Sequence, residues 1–216
     1  MIIGLCGKTG SGKSTLAKDI KSLCKKEVAI VDIDKIGHDV LEISEVKDNL
    51  VKCFGKEVLE NGKVNRKVLS RIVFESKEEM EKLTDITWNS MEEIIDKILE
   101  ENKDKVVILD WILLPKTKFF LECDIKVLLD IDILVRKERV IKRDNITNDA
   151  FILREKASLE YNKEDFDYVI VDNYKEVLER LVNSLWQKFC ILEVLIRLLM
   201  DIWILFLKLV NYLMKW

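Results

Sequence analysis

Proline is almost missing from this chain: Pro115 is alone among 216 residues, and only seven glycines join it. So few chain breakers suit a helix-rich α/β protein. Histidine is as scarce. His38 stands alone, is read as structural, and is given no proton transfer. Five cysteines (Cys6, Cys24, Cys53, Cys123, Cys190) are scattered without a C-x-x-C pair. That spacing excludes a zinc ribbon or a disulfide framework and points to reduced thiols of a cytosolic protein. No charge of one sign dominates, since 36 basic residues face 39 acidic ones for a net charge of −3. A nucleic-acid partner is therefore not expected. No secretory leader is read at the amino end, because the apolar run of residues 1–6 feeds directly into a glycine loop. The length fits one domain, or a domain with inserts, large enough for a sizeable core.

What is present begins with Gly7-Lys-Thr-Gly-Ser-Gly-Lys-Ser14. It lies between an apolar strand pattern (2–6) and a helical pattern (13–25), and it fits G-x-x-x-x-G-K-[ST]. Gly7, Gly10 and Gly12 let the backbone turn its N–H groups inward onto phosphate oxygens. The following helix adds its positive end. Lys13 supplies a point charge for the β- and γ-phosphates, and Ser14 a hydroxyl ligand for Mg²⁺. The ATP-binding set expected from this stretch is Gly7, Lys8, Thr9, Gly10, Ser11, Gly12, Lys13, Ser14 and Thr15.

Val28-Ala-Ile-Val31 reads as a second buried strand, ending in Asp32-Ile-Asp34. Ligands of open α/β sheets sit at the carboxyl ends of strands, so both acids arrive near the phosphate loop. Asp34 is the candidate general base for an attacking hydroxyl, and Asp32 equally suits orienting a metal-bound water. The competing reading makes one of them a helix N-cap. Residues 36–103 show no strand–helix alternation and read as an inserted helical subdomain with turns at Gly55 and Asn61-Gly62. Arg66 and Arg71 are its candidate anion contacts, or else solvated helix charges.

Three blocks now carry a family resemblance. Gly4-Leu-Cys-Gly-Lys-Thr-Gly-Ser-Gly-Lys-Ser14, Asp32-Ile-Asp34 with Ile36-Gly-His38 behind it, and Gly62-Lys-Val-Asn65-Arg66 followed by Leu69 and Ile72-Val-Phe74 together resemble dephospho-CoA kinase. The resemblance runs from residue 1 to about 188. It implies a three-layer P-loop fold with a parallel sheet, a helical acceptor-binding insertion and a helical lid. The implied activity is ATP-dependent phosphorylation of the ribose 3′-hydroxyl of dephospho-CoA, with Mg²⁺ as cofactor. Asp32, His38, Asn65, Arg66 and Leu113 are the implied acceptor contacts.

Val106-Val-Ile-Leu109 reads as a strand ending at Asp110, which either holds Mg²⁺ through water or caps the next turn. Where the family shows D-x-P-L-L-x-E, this chain has Asp110-Trp-Ile-Leu-Leu-Pro-Lys116, and the family's H-P is Trp88-Asn89. These departures keep open a paralogous kinase of another nucleotide acceptor, or a nucleotide-dependent switch or assembly factor. Ile125–Leu129 reads as a strand and Ile133–Lys142 as a helix. Arg139 and Arg143, at i and i+4, match the family's lid and are expected to clamp the triphosphate. Arg154 matches a further lid arginine, and Ser158 stands where a glutamine is usual. Phe166–Asn173 reads as the last strand, with Asn173 near the adenine by resemblance or simply a turn residue.

The expected organisation is a kinase domain over 1–188, with the acceptor subdomain at 36–103 and the lid at 133–162. Residues 189–216 form a separate apolar tail whose Glu193, Arg197, Asp201, Lys208, Asn211 and Lys215 fall on one helical arc. An amphipathic helix is expected there. Docking on the protein itself or a partner subunit ranks first, a membrane surface second and spanning third.

Overall fold

The computed structural model describes residues 1–73, 76–156, 158–171, 177–180, 182–183 and 187. The first strand, β1 (Ile2–Cys6), is buried from Ile3 onward. It is followed by α1 (Lys13–Leu23), whose Leu16, Ala17 and Ile20 face the core. β2 (Val28–Asp32) runs directly into α2 (Ile33–Val40). Then come α3 (Ser44–Phe54), the short hairpin β3 (Leu59–Glu60) and β4 (Lys63–Val64), and α4 (Arg66–Val73). The 25-residue α5 (Lys77–Glu101) returns the chain to β5 (Val106–Asp110). After α6 (Lys118–Glu122) and β6 (Ile125–Leu129) follow α7 (Ile133–Asp144), α8 (Asn148–Lys156) and β7 (Tyr168–Ile170).

Strands β2, β5, β1, β6 and β7 form one sheet in that spatial order, and every pairing is parallel. Parallel neighbours need a crossover connection, and between β2 and β5 that crossover is the whole block from α2 to α5. The helical insertion expected from the sequence is thus a connection inside the sheet, and it adds one small hairpin. Asn61 (φ 51°) and Gly62 (φ 76°) make that hairpin's turn, where two left-handed residues match the twist of the strands. Two residues per strand are too short to show as an alternating pattern, so the sequence revealed the turn but not the strands.

The apolar alternation of β5 divides the core. Val106 and Ile108 join Ile3, Leu5, Leu16 and Ile20 on one face. Val107 and Leu109 join Leu50, Phe54, Leu69, Met91 and Ile95 on the other. Each fully buried aliphatic side chain is worth about 1.5–3 kcal/mol. One layer of the protein is therefore the α1 side, one the sheet, and one the inserted helices, as the three-layer expectation requires. Among the described residues no helix is long and apolar enough to cross a membrane. Cys6, Cys24, Cys53 and Cys123 are free thiols. The tail expected at 189–216 and Asn173 lie outside the described residues.

Candidate active site

The register of the sheet builds the site. Asp32 at the end of β2 lies opposite Asp110 at the end of β5, and Leu5 of β1 pairs with Asp110 on its other side. The loop that leaves β1 at Gly7 therefore rises beside Asp110, with Asp32 one strand further out. Gly12 precedes α1 with φ 98°, and no side chain caps the helix, so its first N–H groups are left for a ligand. Gly10 is glycine for a second reason as well. A Cβ there would sit 2.6 Å from Val140 Cγ2 and 2.8 Å from the Arg136 carbonyl, because α7 packs directly on the loop.

Lys13 folds back so that its ammonium donates to the Gly7 carbonyl (2.9 Å) and stands 3.9 Å from Asp110 Oδ1. Burial pushes its pKa down, while Asp110 and Asp34 oppose that shift. The Ser14 hydroxyl donates to Asp110 Oδ2 at 2.9 Å. Burial pushes the Asp110 carboxyl up, against the pull of Lys13 and Ser14. A hydroxyl and a carboxylate side by side at the phosphate cradle are hard oxygen donors of the kind Mg²⁺ accepts together with phosphate oxygens and water. Among the described residues no three His, Cys, Asp or Glu side chains form a ready-made cage. The Ser11 hydroxyl is buried inside the loop without a hydrogen-bond partner.

The structure gives Asp32 and Asp34 different tasks. Asp32 caps α2, its Oδ1 accepting from the Lys35 amide at 3.0 Å. Asp34 follows in the first turn with its carboxylate on the cleft surface. Partial burial raises its pKa most, the neighbouring Asp32 charge raises it further, and Lys13 opposes both. Trp111, which lines the same cavity, favours the charged form. One cavity is lined by the loop and a second by this carboxylate. One, of ≈ 220 Å³, is lined by Gly10, Gly12, Lys13, Ser14, Thr15, Arg139 and Arg143. The other, of ≈ 510 Å³, is mostly apolar and places Asp34, His38, Arg66, Leu113 and Trp111 around one space.

Three expected site residues are engaged by other side chains or amides in this structure. Lys8 was counted with the nucleotide contacts, but its side chain turns outward to Glu155 (3.1 Å) and Glu160 (2.5 Å). Only its backbone remains for a phosphate. Asn65 was counted with the acceptor contacts, yet its Oδ1 accepts from the Lys67 and Val68 amides at the start of α4, and its Nδ2 donates to Glu60. It is a helix cap, the role its side chain serves best. Arg143 lines the phosphate cavity, but its guanidinium pairs with Asp144 (2.7 Å), which also accepts from Arg154 (2.8 Å). Arg139 reaches over the loop instead, donating to the Gly10 carbonyl at 3.3 Å.

Sequence reasoning missed Arg136. It is 5% exposed and makes a two-pronged contact with Glu155 at 2.7 and 2.8 Å. Its Nε donates to the Ile131 carbonyl, so α7, α8 and the phosphate loop share one ionic knot. Arg136 and Lys8 hold the Glu155 carboxyl down at about 2. Nineteen residues separate the pair, so no local spacing advertised it. Trp111 fills an unrestricted position of the family pattern; its place beside Asp34 in one cavity needed the fold. Trp88 and Lys116, departures from that pattern, line a depression of ≈ 630 Å³ that adjoins the apolar cleft through Leu113.

The dephospho-CoA kinase (CoaE) family model matches residues 1–179. The chain belongs to that family. A curated dephospho-CoA kinase from Fusobacterium nucleatum is 35% identical over 193 residues, spanning 88% of this chain and 97% of the relative. One from Aquifex aeolicus is 34% identical over 182 residues, 82% of this chain and 90% of the relative. In fold, a crystal structure from Thermus thermophilus (TT1252) is similar with a TM-score of 0.73 at 23% identity, covering 87% of this chain and 97% of that one. The family match therefore spans the phosphate loop, the inserted helices, α7 and α8 alike. A paralogous acceptor, or a switch or assembly factor, is not favoured by these comparisons.

Proposed function

We infer that this protein transfers the γ-phosphoryl group of ATP to the ribose 3′-hydroxyl of dephospho-CoA, the last step to coenzyme A. One observation supports this most: the Asp34 carboxylate lines an apolar cleft and feels the charge of Lys13 from the phosphate loop, in a chain of the dephospho-CoA kinase family. In this reading the loop amides and Lys13 hold the triphosphate. Ser14 and Asp110 would hold Mg²⁺, which supplies charge neutralisation on the phosphates when bound. Asp34 accepts the hydroxyl proton as the acceptor oxygen bonds to the γ-phosphorus. The bond from that phosphorus to the bridging oxygen breaks, and ADP leaves. Arg139 offsets charge on the passing group, and Arg143 joins it once released from Asp144. Catalysis is then positioning plus electrostatics.

Arg66, His38 and Leu113 contact the acceptor in this proposal, and Asn173 the adenine. Residues 1–188 form the kinase, with 36–103 as acceptor subdomain and 133–162 as lid. The family match over residues 1–179 supports placing the kinase in the first part of the chain. A cytoplasmic location belongs to the same reading.

The test is ADP release coupled to a reporter, with dephospho-CoA as acceptor and product analysis for a 3′-phosphate. Acceptor-dependent turnover to coenzyme A is expected, and it persists after residues 189–216 are removed. Turnover only with another nucleotide alcohol, or hydrolysis independent of any acceptor, would overturn the reading.

A further inference from the structure

A phosphate cradle needs its peptides turned one way. The N–H and C=O of a trans peptide point in opposite directions, and the loop peptides are trans. An amide aimed at a phosphate therefore leaves the preceding carbonyl facing away, where something must hold it. Around this loop cations do so. The Gly7 carbonyl accepts from Lys13 at 2.9 Å and the Thr9 carbonyl from Arg136 at 3.5 Å. The Gly10 and Ser11 carbonyls accept from Arg139 at 3.3 and 3.5 Å. On the reverse of two of these peptides are the N–H groups of Gly10 and Gly12, which no acceptor among the described residues engages. Both glycines line the phosphate cavity.

These cations are not alike. Lys13 and Arg139 line the cavity and can exchange a carbonyl for a phosphate oxygen. Arg136 lies outside it, 5% exposed, with its Nε on the Ile131 carbonyl at 2.9 Å and both Nη atoms on Glu155 at 2.7 and 2.8 Å. Glu155 also accepts from Lys8, and Lys8 donates to Glu160, so two cations face two carboxylates. A neutralised, buried guanidinium has no reason to leave the loop for a triphosphate.

We propose that Arg136 is a positioning residue for the nucleotide. Locked by Glu155, it keeps the Thr9–Gly10 peptide turned so that the Gly10 N–H faces the phosphates, and it stays there when Lys13 and Arg139 move to the triphosphate. This rests on the reading of the loop as the ATP site. Glu155 belongs to α8, so the loop takes its shape only when α7 and α8 are packed together.

The experiment compares wild type with Arg136→Lys and Glu155→Gln, below their melting temperatures. Lysine keeps a charge beside Glu155 but cannot make the two-pronged contact and reach the Thr9 carbonyl together. Affinity for a non-hydrolysable ATP analogue falls about tenfold, as the loss of one hydrogen bond to a charged group predicts. Turnover at saturating ATP and acceptor KM stay within about threefold. Amide spectra of glycine-labelled protein give the local readout. The analogue shifts the Gly10 amide in wild type and much less in Arg136→Lys, while the Gly12 amide responds in both. Glu155→Gln gives the same pattern by releasing Arg136, and it covers the case in which Arg136→Lys fails to fold. The two substitutions together lower affinity by less than the product of their separate effects, because they act through one contact.

Wild-type analogue affinity in either folded variant would overturn the proposal. So would a Gly10 amide that responds as in wild type. A lowered melting temperature with neither change is what a merely structural ion pair produces, and it overturns the proposal too. A wild-type protein that binds no ATP analogue would remove the reading of the loop and this inference with it. Normal binding in wild type and in both variants removes only the inference.

Discussion

The two halves of this site are built in opposite ways. The phosphate side is one continuous stretch, Gly7 to Ser14, and its shape is set by backbone: left-handed glycines, an uncapped helix start and a lysine folded onto a carbonyl of its own loop. The acceptor side is gathered from α2, α4, α5 and the segment after β5, and its wall is side chains: Leu69, Val73, Met80, Leu83, Met91 and Trp111. Triphosphate is recognised by its charge and regular geometry, which backbone amides match without variable residues. The alcohol needs shape and one well-aimed carboxylate. Chemistry common to all nucleotides is therefore fixed locally, and chemistry particular to one acceptor is distributed through the insertion.

The contrast gives predictions of falling size. Lys13→Ala should lower turnover about 10²–10³-fold, the usual loss of one preorganised charge partner, with ATP affinity falling as well. Steady-state kinetics with nucleotide titration checks both.

Glu155→Ala comes next, and it acts on stability. Arg136 would be left buried without its partner, which costs about 3–5 kcal/mol. Thermal unfolding should show a drop on the order of 10 °C. The sign with pH follows from the depressed carboxyl. Glu155 stabilises the fold above its unfolded value of 4.5, and that contribution fades as pH falls through about 2. The gap in melting temperature between wild type and Glu155→Gln should narrow over that window. A gap independent of acid would mean the knot is structural decoration.

The smallest effect belongs to the acceptor wall. Arg66→Ala should raise acceptor KM about tenfold and leave kcat within about threefold, as loss of uniform binding does. A matching loss of ATP affinity would break the division into two halves.

That division also decided what was legible in the sequence. The phosphate loop, the strand ends at Asp32 and Asp110 and the paired arginines of α7 all announce themselves by short-range spacing. Register then does the rest, since Asp32 opposite Asp110 requires only that β2 and β5 be neighbours. Asn65 and Lys8 show the limit. Each sits inside a recognisable motif, yet the cap and the ion pairs that engage them depend on residues up to 152 positions away. The Trp88–Trp111 stack joins residues 23 positions apart on different elements, one a departure from the family pattern and the other at an unrestricted position of it.

Asp34 joins the two halves, and its energetics carry the cost of that position. Its folded pKa lies above the ordinary carboxylate value, so the fold favours the protonated form. The stability this provides is full below the unfolded pKa and is lost as pH rises through the folded one. At neutral pH the ionised base therefore strains the fold, and Asp34→Asn should melt slightly higher than wild type while losing activity.

The measurement that bears most directly on the account is the comparison of kcat and ATP affinity in Asp34→Asn. A base that acts only in the transition state predicts a fall in kcat of about 10²–10⁴-fold with ATP binding unchanged. Equal losses in turnover and ATP affinity would make Asp34 a nucleotide-side acid and contradict the account.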